Sequence, residues 1–247
     1  MNTIYGIRSI LEAIDSKTNI DKVWLLKGQK NSIAKSLEYK LKKNNIPYSF
    51  VPIERLERFK SKNHQGAVAS ISPIIFDNLE DVVSKNIYKK QNPIYLILDN
   101  ITDMRNIGAI IRSASATGVT NIILPKNESG RINADTVKTS SGAIFSVSIS
   151  KVDHIKDAIF LLKSNDIEII CVSEKAKKTI YETKLKNPLA IVMGSEKKGI
   201  SNSVIKISDR SAKLPMKGNI DSLNVSVACA TVLYEIIRQR EFSNYKN

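Results

Sequence analysis

Residues 94–124, IYLILDNITDMRNIGAIIRSASATGVTNIIL, decide the fold. The run IYLILD (94–99) is almost wholly apolar, as is NIIL (121–124). A strand without alternation is buried on both faces, which is the condition of a strand inside a parallel sheet. Between the two runs, Ile107, Ile110, Ile111 and Ala114 recur at helical spacing and give one apolar face to a helix expected over 106–117, with Asn106 as its cap. Strand, helix and strand in this order indicate a parallel sheet covered on both faces.

Downstream the alternation continues. A helix is expected near 152–164, then strands IEIICV (167–172) and LAIVM (189–193), then a long helix over 224–240 with Val225, Ala228, Cys229, Val232 and Ile236 on its buried stripe. Residues 93–247 therefore read as a parallel-sheet α/β domain. Upstream lies a smaller α/β unit, residues 1–75. Ile7, Ile10, Leu11 and Ile14 mark a first helix, KVWLL (22–26) a strand, and Ile33, Leu37 and Leu41 a second helix. YSFV (48–51), a short helix in IERLERFK (53–60) and the strand GAVASI (66–71) follow. The polar stretch 76–92, bracketed by Pro73 and Pro93, reads as a linker with some helical character. No internal repeat is evident.

With 38 basic against 24 acidic residues the formal net charge is +14, which favours partners that carry phosphates, RNA first among them. Lysine-rich composition of an AT-rich genome would produce the same surplus, so charge alone decides nothing. No run of about 18 apolar residues could span a bilayer, and the first fifteen residues lack a secretory pattern, so a cytoplasmic location is expected. Two cysteines, Cys171 and Cys229, and two histidines are too few and too scattered for a zinc site or a disulfide framework, and no metal is expected.

An open parallel sheet takes its ligands beyond the C-terminal ends of its strands, and three loops there carry polar residues. The first follows IYLILD and holds Asn106 and, within the helix, Arg112. Arg112 points away from the apolar stripe; in isolation it is a solvated surface residue, and otherwise it faces a phosphate or carboxylate. The second, GSEKKGIS (194–201), resembles a phosphate loop in its outer glycines but carries Ile200 where that motif needs lysine, which excludes a nucleotide triphosphatase. It leaves a turn at Gly194 that brings backbone close to a ligand, and the carboxylate of Glu196. The third, KLPMKGNIDSLNVSVACA (213–230), has turn residues Pro215, Gly218, Asp221, Ser222 and Asn224 interleaved with apolar Leu214, Met216 and Leu223. Ser222 or Asn224 could simply cap the last helix. A cap alone does not account for the apolar residues beside glycine, which suit the flat face of an adenine.

NIGAIIR, MGSEKKGIS and LPMKGNIDSLNVSVA, in this order, resemble the three signature motifs of the SpoU-type SPOUT methyltransferases. The resemblance implies an S-adenosylmethionine-dependent RNA ribose 2′-O-methyltransferase. It places Asn106, Arg112, Glu196, Ser222 and Asn224 in the active site and the backbone around Gly194, Leu214 and Leu223 on the cofactor. It implies a C-terminal trefoil knot and a homodimer as well. IYGIRSILEAI and NHQGAVAS resemble the ribosomal-protein-like substrate-binding domain of the ribosomal RNA guanosine methyltransferases in this family. Transfer RNA remains the alternative substrate. A non-catalytic assembly factor would not need every polar motif position filled, and a dinucleotide enzyme would need G-x-G-x-x-G after IYLILD.

Overall fold

The computed structural model describes residues 3–16, 18–29, 31–57, 63–72, 74–89, 92–127, 132–219 and 222–242. Pro73, Asp221 and residues 58–60 of the expected short helix lie outside them. The chain divides into two compact units, Met1–Ile75 and Phe76–Asn247, with Ile132–Ala134 grouped with the first.

The first unit runs β1 (Thr3–Tyr5), α1 (Ile7–Asp15), β2 (Ile20–Leu26), α2 (Ser32–Lys43), β3 (Tyr48–Val51), α3 (Ile53–Glu57) and β4 (Ala67–Ile71). Its sheet has the order β1-β4-β2-β3, with β2 and β3 parallel and the other neighbours antiparallel. Ile7, Ile10 and Ile14 of α1 meet Leu37 and Leu41 of α2 and the inner face of the sheet in one apolar core. Ile33 does not join it and is 39% exposed. The Asn31 side chain caps α2 by accepting the Ala34 N–H at 2.8 Å, which sets the buried stripe on Ala34, Leu37 and Leu41 and turns Ile33 outward by one residue.

The second unit comprises α4 (Leu79–Tyr88), β5 (Ile94–Asp99), α5 (Met104–Ala116), β6 (Asn121–Pro125), α6 (Ala134–Thr139), β7 (Ile149–Val152), α7 (Ile155–Lys163), β8 (Glu168–Val172), β9 (Leu189–Gly194), α8 (Asn202–Ile207), β10 (Arg210–Ala212) and α9 (Val225–Glu241). Its six strands lie in the order β10-β8-β9-β5-β6-β7, and every pairing is parallel. Helix α4 falls inside the stretch expected to be a linker. Leu79 and Val83 of α4 are buried in the same core as Ile159, Leu162 and Val192, because an amphipathic helix lowers its free energy by covering one face of the sheet.

Two features of this unit hold its helices in place. Helix α5 lies so close to α6 that a Cβ on Gly108 would stand 2.7 Å from the Thr139 Cβ, so glycine is required there. At its far end α9 is stitched down by side chains. Gln239 donates to the Thr183 carbonyl and accepts the Leu185 N–H, both at 3.0 Å. Arg240 donates to the carbonyls of Leu185, Asn92 and Asn187. Cys229, on the buried face of α9, is fully covered, and burial pushes its thiol up to about 12, so it packs as a small apolar residue. Among the described residues no helix is long and apolar enough to cross a membrane, and no cluster of His, Cys, Asp and Glu could hold a metal ion.

Candidate functional site

Strands β8, β9 and β5 end side by side, with Val172 beside Met193 and Asp99 beside Gly194 in register. The loops that leave these three ends, with Leu214, Met216, Ser222 and Leu223 from beyond β10, surround two cavities. One, of about 510 Å³, is lined by the β8 loop (Val172–Lys175), the β9 loop (Met193–Ile200), Leu214, Met216, Ser222, Leu223 and the first turn of α9. The other, of about 700 Å³, runs along the β5 loop from Asn100 to Met104, with Asn106, Ser195–Lys198 and Val225. Both volumes lie in the range of roughly 300–1,000 Å³ usual for small-molecule sites. Residues 195–198 line both cavities, so Glu196 belongs to the wall between them.

The β9 loop owes its shape to two glycines. A Cβ on Gly194 would come within 2.2 Å of the Gly199 carbonyl carbon and 2.4 Å of the Ile200 nitrogen, both backbone atoms that cannot swing aside. Gly199 has φ +65°, a left-handed conformation that costs glycine nothing. With it the loop closes through the Gly199 N–H donating to the Ser195 carbonyl at 2.8 Å, while the Lys198 N–H donates to Ser195 Oγ at 3.1 Å.

Closure presents Glu196 to the N-terminus of α9. Its Oε1 accepts the Val225 N–H at 3.1 Å and the Asn224 side-chain amide at 2.8 Å. A carboxylate is favoured there, where the first N–H groups of a helix lack partners and carry partial positive charge. Asn224 is the cap of α9: its Oδ1 accepts the Ser226 N–H at 3.0 Å, while its Nδ2 reaches Glu196 and, at 3.0 Å, Asn106 Oδ1. Asn106 Nδ2 makes a long contact of 3.5 Å to the same Glu196 oxygen. Three residues from three separated motifs thus form one hydrogen-bonded triangle.

The expectation that Asn106 caps its helix is overturned. Helix α5 begins at Met104, and Asp103 Oδ1 accepts the N–H groups of Arg105 and Asn106 at 2.8 and 2.9 Å. Aspartate caps as well as asparagine and adds a negative charge where the helix dipole favours it, which leaves the Asn106 amide for the triangle.

Of the remaining expected site residues, Gly194, Leu214, Ser222 and Leu223 line the smaller cavity with Glu196. Ser222 makes no hydrogen bond among the described residues. Arg112 is not brought to either cavity. It is exposed in the middle of α5, with no hydrogen bond or ion pair among the described residues, and stands about 9 Å along the helix and roughly 120° around it from Asn106. Sequence reading missed Ser173, Glu174 and Lys175. Their signal was available, because IEIICV ends at the same edge of the sheet as LAIVM and its loop was due the same scrutiny. The chemistry open to the smaller cavity is recognition of a ligand with an apolar ring and a charged end. Leu214, Leu223, Met193 and Ile205 supply apolar surface, and Glu196, Glu174, Lys175, Lys197 and Lys198 supply charge of both signs.

Comparison with known proteins matches residues 93–234 to the SpoU rRNA methylase family and residues 3–76 to a domain described as RNA 2′-O ribose methyltransferase substrate binding. A 23S rRNA (guanosine-2′-O-)-methyltransferase, RlmB, from Haemophilus influenzae is 33% identical over 240 residues, 96% of this chain and 97% of its own. Among solved structures, the SpoU methyltransferase AviRb of Streptomyces viridochromogenes, in complex with AdoMet, superposes with a TM-score of 0.62 at 21% identity, over 96% of this chain and 89% of its own. The A. aeolicus TrmH/SpoU tRNA modifying enzyme gives a TM-score of 0.57 at 30% identity, over 66% of this chain and 81% of its own.

Proposed function

The chain belongs to the SpoU rRNA methylase family, and on that premise we propose the following reading of its site. It is an S-adenosylmethionine-dependent enzyme that methylates a ribose 2′-hydroxyl of ribosomal RNA. A guanosine of the large-subunit RNA is the target that its RlmB relatives favour, and a transfer RNA is the alternative. The observation that carries the reading is the pair of cavities divided by Glu196, with the Asn106–Glu196–Asn224 triangle in the wall.

S-adenosylmethionine supplies an electrophilic methyl carbon on a sulfonium. The smaller cavity fits such a molecule. Leu214 and Leu223 offer apolar surface to an adenine, Gly194 lets backbone approach without a side chain, and Glu196 places negative charge near a cation. The larger cavity then takes the nucleotide, with Lys197 and Lys198 toward its phosphates. The triangle fixes the asparagine amides so that they meet the ribose without reorganising, and ordering of this kind lowers a transfer barrier by several kcal/mol. Arg112 stands outside both cavities, so in this reading it grips a phosphate of the RNA that runs past the larger cavity and holds the strand in place. A guanidinium already carries its proton and is a poor base, so its part is positional. Ser222 adds a hydroxyl at the cavity wall.

Residues 1–75 form the substrate-binding domain, matching the family model over 3–76, and the net charge of +14 favours RNA. The exposed Val227 and Tyr234, seven residues apart on α9, give an apolar strip that fits the homodimer usual in this family, and the C-terminal trefoil knot and a cytoplasmic location belong to the same reading. Calorimetry should show S-adenosylmethionine binding and no NAD binding; the reverse result would refute the cofactor. Mapping ribose methylation in RNA from cells with and without the gene should lose one ribosomal site. Loss of a transfer RNA site instead would establish the alternative.

A further inference from the structure

The last residue of β5, Asp99, is a carboxylate at the end of an otherwise apolar strand, and it is 3% exposed. Burial of an ionised group requires partners, and its partners are specific. Oδ2 accepts the N–H of Ser201, 102 residues away in sequence, at 2.7 Å. Oδ1 accepts the side-chain amide of Asn100 at 2.9 Å, and that amide also donates to Ser201 Oγ at 3.0 Å. Asn100 is held in a left-handed conformation, φ 58°, which non-glycine residues enter at a cost unless the surroundings fix them. The result is a closed ring of three hydrogen bonds that clasps the root of the β5 loop to the end of the β9 loop.

These two loops carry the two halves of the site. The β5 loop leads through Asp103 into Asn106, and the β9 loop holds Glu196 five residues before the clasped Ser201. Sheet pairing ends at Asp99 and Gly194, so beyond that register contacts other than the strand ladder set the spacing of the loops. The clasp lies at that boundary. Within the reading of the site given above, on which the inference rests, we propose that Asp99 is a positioning residue for methyl transfer, fastening the two loops so that Glu196 and Asn106 keep the separation their triangle with Asn224 needs. The carboxylate touches neither ligand; it acts through Glu196.

Asp99→Asn tests this with little change of volume. An amide offers one acceptor where the carboxylate offers two, so one of the two N–H donors then faces an NH2 group and the clasp opens. Single-turnover methylation at saturating cofactor and RNA should fall at least tenfold while the variant stays folded at the assay temperature, as melting curves verify. Asp99→Glu, which keeps both acceptors, should recover part of the rate. The deciding measurement is a double-mutant cycle with Glu196→Ala. If Asp99 acts through Glu196, the Asp99→Asn change should cost less than twofold once Glu196 is gone, because coupled residues are not additive. Equal losses in both backgrounds, the signature of general destabilisation, would overturn the proposal, as would an unimpaired Asp99→Asn enzyme. Full activity of Glu196→Ala alone would instead overturn the reading of the site, and the clasp with it.

Discussion

Glu196 and Arg112 are both charged members of signature motifs, yet the fold treats their regions differently. The β9 loop is completed inside one chain: two glycines bend it, its hairpin bonds close it, and the α9 N-terminus receives its carboxylate. The middle of α5 is finished on its inner face alone, where Ile107, Ile110, Ile111 and Ala114 are fully buried, and its outer face presents Arg112 without a partner among the described residues. A residue whose charge is satisfied by its own chain is built to hold shape. One left open in solvent is free to meet a ligand, and in the proposed function that is an RNA phosphate.

Three measurements would break or sharpen this contrast. The largest effect is expected at Arg112. Arg112→Ala should cut single-turnover methylation by on the order of a hundredfold or more and shift stability by no more than about 0.5 kcal/mol, since nothing in the fold leans on it. Arg112→Lys should recover little, because an ammonium lacks the planar fork that grips a phosphate with two parallel bonds. Near-normal turnover of the Ala form would return Arg112 to the ordinary surface. Glu196→Ala should cost less in rate, on the order of tenfold, but with weaker S-adenosylmethionine binding as well, because the loop it anchors borders both cavities. Calorimetry that finds cofactor affinity unchanged would contradict the placement of Glu196 in the dividing wall.

The smallest effect serves as a control, at the other end of α9. The Arg238 guanidinium beside Glu235 holds its carboxyl below the ordinary value of 4.5, helped by the Gln239 amide and opposed by burial. A depressed folded pKa stabilises above the unfolded value, and the gain is lost as pH falls through the folded one. Thermal melts should therefore lose stability below about pH 4.5, by under about 1 kcal/mol because the arginine is exposed. In Glu235→Gln that acid limb should shrink while turnover at neutral pH stays unchanged. A drop in turnover would mean that the far end of α9 communicates with the site.

The parallel sheet was legible because IYLILD, NIIL, IEIICV and LAIVM carry no alternation, and burial on both faces leaves that mark in sequence. Less legible were β7 (Ile149–Val152) and β10 (Arg210–Ala212), edge strands too short, and with too many polar residues, to stand out as an apolar run. The cap of α5 went wrong for a local reason: Asp103 and Asn106 are both good caps, three residues apart, and only the hydrogen bonds separate them. The motifs placed Asn106, Glu196 and Asn224 near one another without indicating that they bond. The Asp99 clasp was out of reach, since a bond spanning 102 residues has no periodicity to betray it.

The stitching of α9 bears on how the protein is made. Asn224 and Val225 complete the Glu196 corner, and the helix they begin is fastened at its far end when Arg240 reaches the carbonyl of Asn92, 148 residues earlier. A nascent chain on the ribosome can pair β5 with β6 early, but the Glu196 corner must wait for Asn224 and Val225 at the start of α9. Contacts of such long range also slow folding. Chains stalled short of α9 should therefore bind S-adenosylmethionine poorly however long they wait.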